Sequence, residues 1–446
     1  MRPDTDLEGG DIEMNPNRAL SERHRAVMPS WLAVYYEQPI ALVRGEGRYV
    51  WDADGNKYLD FFGGILTTMV GHAVPQVVDA IKDQTSKLLH SSTLYLIEPA
   101  IELAEKICAL APIDDPKVFF VSSGTEANEA ALLLATTYRR SNQVIALRNS
   151  YHGRSFAAVG ITGNRGWSAS SLSPVHVSYV QSGYRYRSPF GHLPDPDFIA
   201  ACADDLRNII ETTTSGDVAC MIAEPIQGVG GFATPPDGFF GAMKEVLDEY
   251  EIPFISDEVQ TGWGRTGEHF WGIDAHGVKP DIITFAKGIG NGLALGGVVA
   301  RKEMMDSVSA NSISTFGGNA LSTRGALATL DYLLEHDLQT NTKKVGEHLF
   351  GRLFELARKH DFIGEVRGRG LMIAIELVEP GTKNPNTNAA ARVMEETKAR
   401  GLLVGKGGLY GNVIRMAPPL SLTLEESDEG FQLLSESIAS FAGAAR

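Results

Sequence analysis

FFVSSGTEANEAALLLATTYRR, residues 119–140, passes from an apolar strand into a long helix within a few residues. The strand ends at Val121. Ser122, Ser123, Gly124 and Thr125 then open the helix, whose first turn carries Glu126 and Glu129. A Ser or Thr with Glu three residues later is an ordinary capping box. The same helix start also offers free N–H groups and the positive end of the dipole to an anion, and small hydroxyl residues beside a glycine let a phosphate come close. Taken alone, the stretch favours capping.

Outward from it, helical spacing and short apolar runs alternate from about residue 76 to 330. PQVVDAIKDQTSKLL and EPAIELAEKICAL have helical spacing, and KVFFVSS, QVIALRN, VACMIAE, IPFISDE and DIITFA have the length of buried strands. That order predicts an α/β fold with a mostly parallel sheet. Upstream, PNRALSERHRAVMPSW (16–31) reads as a short helix, and GEGRYVWDADGNKYLDFFGG (45–64) as two strands around Asp54-Gly55. After 330 come two amphipathic helices and three strand-like runs, GLMIAIELV, LLVGKG and VIRMAPP. The expected organisation is an N-terminal helix with small-domain strands (1–75), a large α/β domain (76–330) and a C-terminal small α+β domain (331–446).

The 446 residues carry 40 basic and 55 acidic side chains, a formal charge of −15, which disfavours a nucleic-acid partner. Three cysteines, Cys108, Cys202 and Cys220, are widely spaced without metal-ligand spacing and fit a reduced, cytoplasmic setting. No apolar run approaches the roughly 20 residues of a membrane span. The first 17 residues lack the apolar core of a signal peptide and read as a frayed tail.

In open α/β folds, ligand chemistry gathers at the carboxyl ends of the strands, and three more strand ends carry unusual residues. In RNSYHGRS (148–155), Tyr151 and His152 precede a glycine; an aromatic there could stack on a planar ring, although an ordinary buried tyrosine explains it equally. In IPFISDEVQTGWGRTG (252–267), Asp257 and Glu258 end an apolar strand, where a carboxylate can hold a protonated ring nitrogen or a metal. GWGRTG fits G-x-G-x-x-G but lacks the following long helix and downstream acid of a dinucleotide site. In IITFAKGIGNG (282–292), Lys287 ends a buried strand. Gly288, Gly290 and Gly292 follow, as if to clear space for a flat ligand beside an amine able to form a Schiff base. His269, Asp274 and His276 match no strong zinc spacing, so no metal is expected. Phosphate cup, stacking aromatic, ring-nitrogen carboxylate and carbonyl-binding lysine are together the four parts that pyridoxal phosphate requires.

The stretches SSGTEANEAA, YHGR, AEPIQG, ISDEVQTGWGRTG, FAKGIGNG, STFGGN and IRMAPPL, in this order over most of the chain, resemble those of the class III aminotransferases of fold type I. The resemblance implies that Lys287 binds the cofactor aldehyde and shuttles the substrate proton, and that Asp257 keeps the pyridine nitrogen protonated. It implies Val259 and Tyr151, with His152 beside it, around the ring, Gln260 on the phenolic oxygen, and Ser123, Gly124 and Thr125 on the phosphate. Glu224 becomes an acid near the ring, and Arg415 the grip on the substrate α-carboxylate. Thr315 is implied to reach the phosphate of a neighbouring subunit, in a homodimer or dimer of dimers.

Two departures bear on substrate. Ornithine-type members carry a glutamate after QG, where this chain has Val229. AEPIQGVGG and GLLVGKGG resemble the alanine–glyoxylate branch, which implies transfer from L-alanine or a β- or ω-amino acid to glyoxylate or pyruvate by a ping-pong path. Arg154 instead matches an arginine that 4-aminobutyrate aminotransferases use on a distal carboxylate, which keeps a 2-oxoglutarate-using ω-aminotransferase open. A lyase or decarboxylase on the same scaffold is a further alternative.

Overall fold

The computed structural model describes residues 15–444. Residues 1–14 of the expected tail lie outside them, but 15–17 do not fray. Asn15 caps the helix Pro16–Val27. Asn17 is buried, its amide donating to the carboxylates of Asp52 (3.0 Å) and Asp54 (2.7 Å). Those two acids belong to the hairpin legible in the sequence, and the hydrogen bonds explain why the chain start is held.

Strands β1 (Leu42–Glu46), β2 (Tyr49–Asp52) and β3 (Lys57–Asp60) form an antiparallel set. Gly55, at φ +86°, supplies the left-handed turn residue between β2 and β3. The large sheet holds seven strands: β4 (Pro116–Val121), β5 (Gln143–Leu147), β6 (His176–Val180), β7 (Cys220–Ala223), β8 (Phe254–Asp257), β9 (Ile282–Phe285) and β10 (Gly296–Arg301). Their order is β4-β10-β9-β8-β7-β5-β6, and only β10 runs antiparallel to its neighbours.

Two of these strands escape the apolar-run criterion. HVSYV of β6 lies on the sheet edge and is half-exposed along most of its length. GGVVAR of β10 starts on two glycines. A Cβ on Gly296 would stand 2.7 Å from the Ser123 carbonyl, and one on Gly297 2.4 Å from the Phe285 ring. Glycine is placed here by close approach to neighbouring groups.

The chain continues through β11 (Ile363–Arg369), β12 (Met372–Leu377), β13 (Leu402–Leu403), β14 (Gly405–Gly407) and β15 (Val413–Met416). β13 joins the N-terminal strands, parallel to β3, so both chain ends build one layer. The others form a separate sheet, β11-β12-β15-β14. Helix Ala320–Glu335 packs Leu327, Leu330 and Leu333 into the core of the large sheet, whereas Leu338–Ala357 sends Val345, Leu349 and Leu353 into the second core with Ile373 and Ile414. No described helix is long and apolar enough to cross a membrane.

Candidate active site

The carboxyl ends of β4, β8 and β9 and the segment after β5 converge on a cavity of about 370 Å³, within the usual size range of small-molecule sites. Ser122, Ser123, Gly124 and Thr125 line it from the helix Gly124–Arg139. Capping and cavity coexist here. Ser123 Oγ accepts the Glu126 N–H (3.2 Å), and the Glu126 carboxylate accepts the Ser122 N–H (2.6 Å). A Cβ on Gly124 would come within 3.2 Å of both Val259 methyls, so the glycine lets the turn after β8 close against the helix start.

The tandem acids of β8 separate by function. Asp257 lines the cavity and is 3 % exposed. Its Oδ2 accepts from the Asn128 amide (2.8 Å) and is hydrogen-bonded to His152 Nδ1 (2.7 Å), while Oδ1 accepts the Val259 N–H (3.2 Å). Glu258 points the other way. It accepts the N–H groups of Gly272 and Ile273, both at 2.8 Å, and burial pushes its pKa up to about 7. Glu258 therefore anchors a neighbouring turn. Asn128, which also donates to the His152 carbonyl (2.7 Å), was not anticipated. The signal was present: it is a polar residue on the buried helix face shared with Ala131, Leu132 and Ala135.

Tyr151 packs edge-on against Trp167 and gives its N–H to Glu224 (2.9 Å), just beyond β7. The second Glu224 oxygen accepts the Gly228 N–H (2.8 Å). Burial pushes the Glu224 pKa up to about 7, with His152 opposing the shift and Asp257 adding to it. Tyr151, Val259, Gln260 and Glu224 all line the cavity. Lys287 follows β9 by one residue at φ +51°, a left-handed conformation that costs a non-glycine residue free energy. Its amine is held below the usual lysine pKa by burial. Asp257 and Glu224 work against that shift and Arg415 with it.

The glycines after Lys287 act differently from the sequence expectation. A Cβ on Gly288 would stand 2.9 Å from Met69 Sδ, so Gly288 serves core packing, and Gly290 is buried near Leu295. Only Gly292, at φ +109°, lines the cavity. The glycines of GWGRTG likewise serve packing: a Cβ on Gly267 would meet the Lys343 backbone at 2.7 Å.

Arg415 is 3 % exposed. Its Nη1 donates to the Gly228 carbonyl (3.0 Å), its Nε and Nη2 to the Lys406 carbonyl (3.2 and 2.9 Å), and its guanidinium lies 5.4 Å from the rings of Phe62 and Phe232. Arg154 is exposed, over the Trp31 ring at 5.5 Å. Thr315 is exposed and does not line the cavity.

The cavity fits pyridoxal phosphate. It combines a helix start for a phosphate, an amine for an aldehyde and a carboxylate for a ring nitrogen. His152 Nε2, Asn128 Oδ1 and Gln260 Oε1 are buried around it without hydrogen-bond partners, which is costly unless a bound group meets them. A larger hollow of about 900 Å³ beside the N-terminal helix lacks these parts. Its Asp52 already accepts from Asn17, Asn56 and Tyr58.

The family described as aminotransferase class-III matches residues 32–438. The chain is 40% identical over 411 residues to an alanine–glyoxylate aminotransferase 2 homolog 2 of Arabidopsis thaliana, covering 92% of this chain and 84% of the relative. It is 37% identical over 426 residues to a leucine/methionine racemase of Thermococcus litoralis, covering 94% of each. Among solved structures it is similar to an (S)-enantioselective omega-transaminase from Thermomicrobium roseum, with a TM-score of 0.87, 33% identity, and coverage of 96% of this chain and 98% of the other.

Proposed function

Because this chain belongs to the class III aminotransferases, which depend on pyridoxal phosphate, we propose that it transfers the amino group of a small amino acid to a 2-oxo acid, foremost from L-alanine to glyoxylate, and otherwise from a β- or ω-amino acid to glyoxylate or pyruvate. The observation that carries the substrate choice is Arg415. Its guanidinium is bonded to main-chain carbonyls of Gly228 and Lys406, and the neighbouring position where ornithine-type relatives carry an acid is Val229. Three of its five N–H groups are so used and the Tyr35 hydroxyl lies within hydrogen-bonding reach of the guanidinium; a substrate carboxylate would take the remaining donor capacity in exchange for that hydroxyl. The alanine–glyoxylate name of the Arabidopsis relative supports the same reading.

Bound pyridoxal phosphate supplies a ring that takes up the electrons released when the substrate Cα–H bond breaks. The protein's residues do the rest. The N–H groups at Ser123–Thr125 receive the phosphate. Val259 and Tyr151 would confine the ring, and Gln260 would donate to its phenolic oxygen. Asp257, fixed by Asn128 and His152, holds a proton on the ring nitrogen. Arg415 orients the substrate by its carboxylate. Lys287, its pKa lowered by burial, is the base that takes the Cα proton. Thr315 serves the phosphate of a second copy in a homodimer. Its exposure outside its own cavity and the exposed apolar side chains of Leu94, Leu96, Ile313 and Phe316 support this.

Racemisation is the second reading, because the Thermococcus relative carries that name at 37% identity and it begins with the same proton removal. A half-reaction screen tests the substrate choice. Holoenzyme is mixed with L-alanine or 4-aminobutyrate and the cofactor absorbance is followed. L-Alanine is expected to convert it faster; faster conversion by 4-aminobutyrate overturns the choice.

A further inference from the structure

Behind the site, four consecutive carbonyls of the turn after β7 each accept from a donor outside the turn, and the Gly228 carbonyl also closes the turn on the N–H groups of Gly231 (3.2 Å) and Phe232 (3.3 Å). Gly228 accepts from Arg415 (3.0 Å) and Val229 from the Gly408 N–H (3.0 Å). Gly230 accepts from the Asn149 amide (3.1 Å) and Gly231 from Arg367 Nε (3.0 Å). The Gly228 N–H goes to Glu224, so a single residue of this turn links the acid beside the ring to the arginine at the substrate end. The far end of the turn is held by Arg367 on β11.

Arg367 is itself clamped. Its Nη1 donates to Glu365 (2.5 Å) and Glu376 (2.6 Å). Glu376 is fully buried and also receives Arg187 Nε (2.5 Å) and the Tyr184 hydroxyl. Gly231, at φ +93°, lies so close that a Cβ would stand 3.0 Å from Arg367 Nη2. None of these charges meets the cavity. Buried ion pairs can often be replaced by apolar packing without loss of stability, so stability alone is a weak reason for a cluster of buried charges. What the arrangement does achieve is to fix the Gly231 carbonyl, and with it the turn, from the small-domain side.

We propose that Arg367, clamped by Glu376 and Glu365, is a positioning residue for the substrate end of the site, holding the 228–231 turn so that Gly228 sets where the Arg415 guanidinium lies. The inference rests on the reading of Arg415 as the carboxylate grip. Arg367 touches neither substrate nor cofactor; it acts through the turn. A small displacement of an orienting group can cost up to about a hundredfold.

Arg367→Lys keeps the positive charge between the two glutamates but removes the donor to Gly231. Two affinities are measured: that of propionate for holoenzyme, by calorimetry, and that of pyridoxal phosphate for the cofactor-free variant, by fluorescence. Propionate binding is expected to weaken by about tenfold, the size of one lost charge-assisted hydrogen bond, with cofactor affinity within about twofold; the KM for L-alanine should rise more than kcat falls. Unchanged propionate binding, or equal loss of both affinities, overturns the proposal. Arg415→Ala is run in parallel. If it leaves propionate binding intact, the reading of Arg415 fails; if it abolishes binding and Arg367→Lys does nothing, the positioning role fails. Should Arg367→Lys not yield folded protein, Glu365→Gln loosens the same clamp at a partly exposed position. It should weaken propionate selectively by a smaller factor, and unchanged propionate binding there also overturns the proposal.

Discussion

Two arginines compete for the substrate, and their settings make opposite predictions. Arg415 is 3 % exposed, lies 5.4 Å from each of two aromatic rings and spends three of its five N–H groups on main-chain carbonyls. Losing a bidentate contact with a carboxylate in such a place costs about 2–5 kcal/mol, which is roughly 30- to 5,000-fold in kcat/KM. Arg154 is exposed, with a cation–π contact to Trp31, worth about 0.5–1 kcal/mol, or at most about fivefold. Arg415→Ala should therefore cripple the alanine–glyoxylate reaction, and Arg154→Ala should barely change it. The assay is steady-state kcat/KM for both variants with alanine–glyoxylate and with 4-aminobutyrate–2-oxoglutarate. The reasoning is refuted if Arg154→Ala loses more than about tenfold (about 1.4 kcal/mol) with 2-oxoglutarate alone, because Arg154 would then hold a second carboxylate. A uniform loss with every substrate, together with weaker cofactor binding, would place Arg154 in the cofactor or interface network.

Asp257→Ala removes the carboxylate proposed for the ring nitrogen; kcat/KM should fall by the equivalent of about 3–4 kcal/mol or more, and a loss under about tenfold would mean that another residue meets that nitrogen. Asn128→Leu keeps the branching of the side chain but takes one donor from Asp257, which should cost about 1.5–3 kcal/mol. A kcat/KM within twofold of the parent would show that His152 alone suffices. Burial lowers the Lys287 pKa from its ordinary value of 10.5. Between the lowered value and 10.5 the unfolded chain binds the proton that the folded chain has released, so stability contributed at this site rises with pH. In thermal melts of cofactor-free protein from pH 7 to 10, the parent should gain on Lys287→Met as pH rises; a falling difference contradicts the assignment.

Much of the site could be read before the fold was known, because Ser122–Thr125, Asp257 and Lys287 sit at ends of short apolar runs, and buried parallel strands announce themselves that way. What could not be read had physical causes. β6 is an edge strand with half-exposed side chains, and β10 starts on glycines placed by the Ser123 carbonyl and the Phe285 ring. β11, IGEVRGR, alternates charges that look solvated; yet Arg367 is buried among Glu365 on its own strand, Glu376 on the paired strand and Gly231 from a distant part of the chain. Neighbouring letters also hid a division of labour. In Asp257-Glu258 only the fold shows which carboxylate faces the cavity and which anchors the turn at Gly272. In KGIGNG, Gly288 answers to Met69, Gly290 is buried near Leu295, and Gly292 alone, at φ +109°, lies on the cavity.

Amino transfer from L-alanine to glyoxylate is read out by isotope tracing of the products. Holoenzyme is incubated with nitrogen-15-labelled L-alanine and glyoxylate, and the mixture is resolved by chiral chromatography and mass spectrometry. Labelled glycine and unlabelled pyruvate are expected in equal amounts, without accumulation of D-alanine or labelled ammonia. Labelled D-alanine as the main product, with little glycine, would contradict it and identify a racemase; labelled ammonia would identify a lyase.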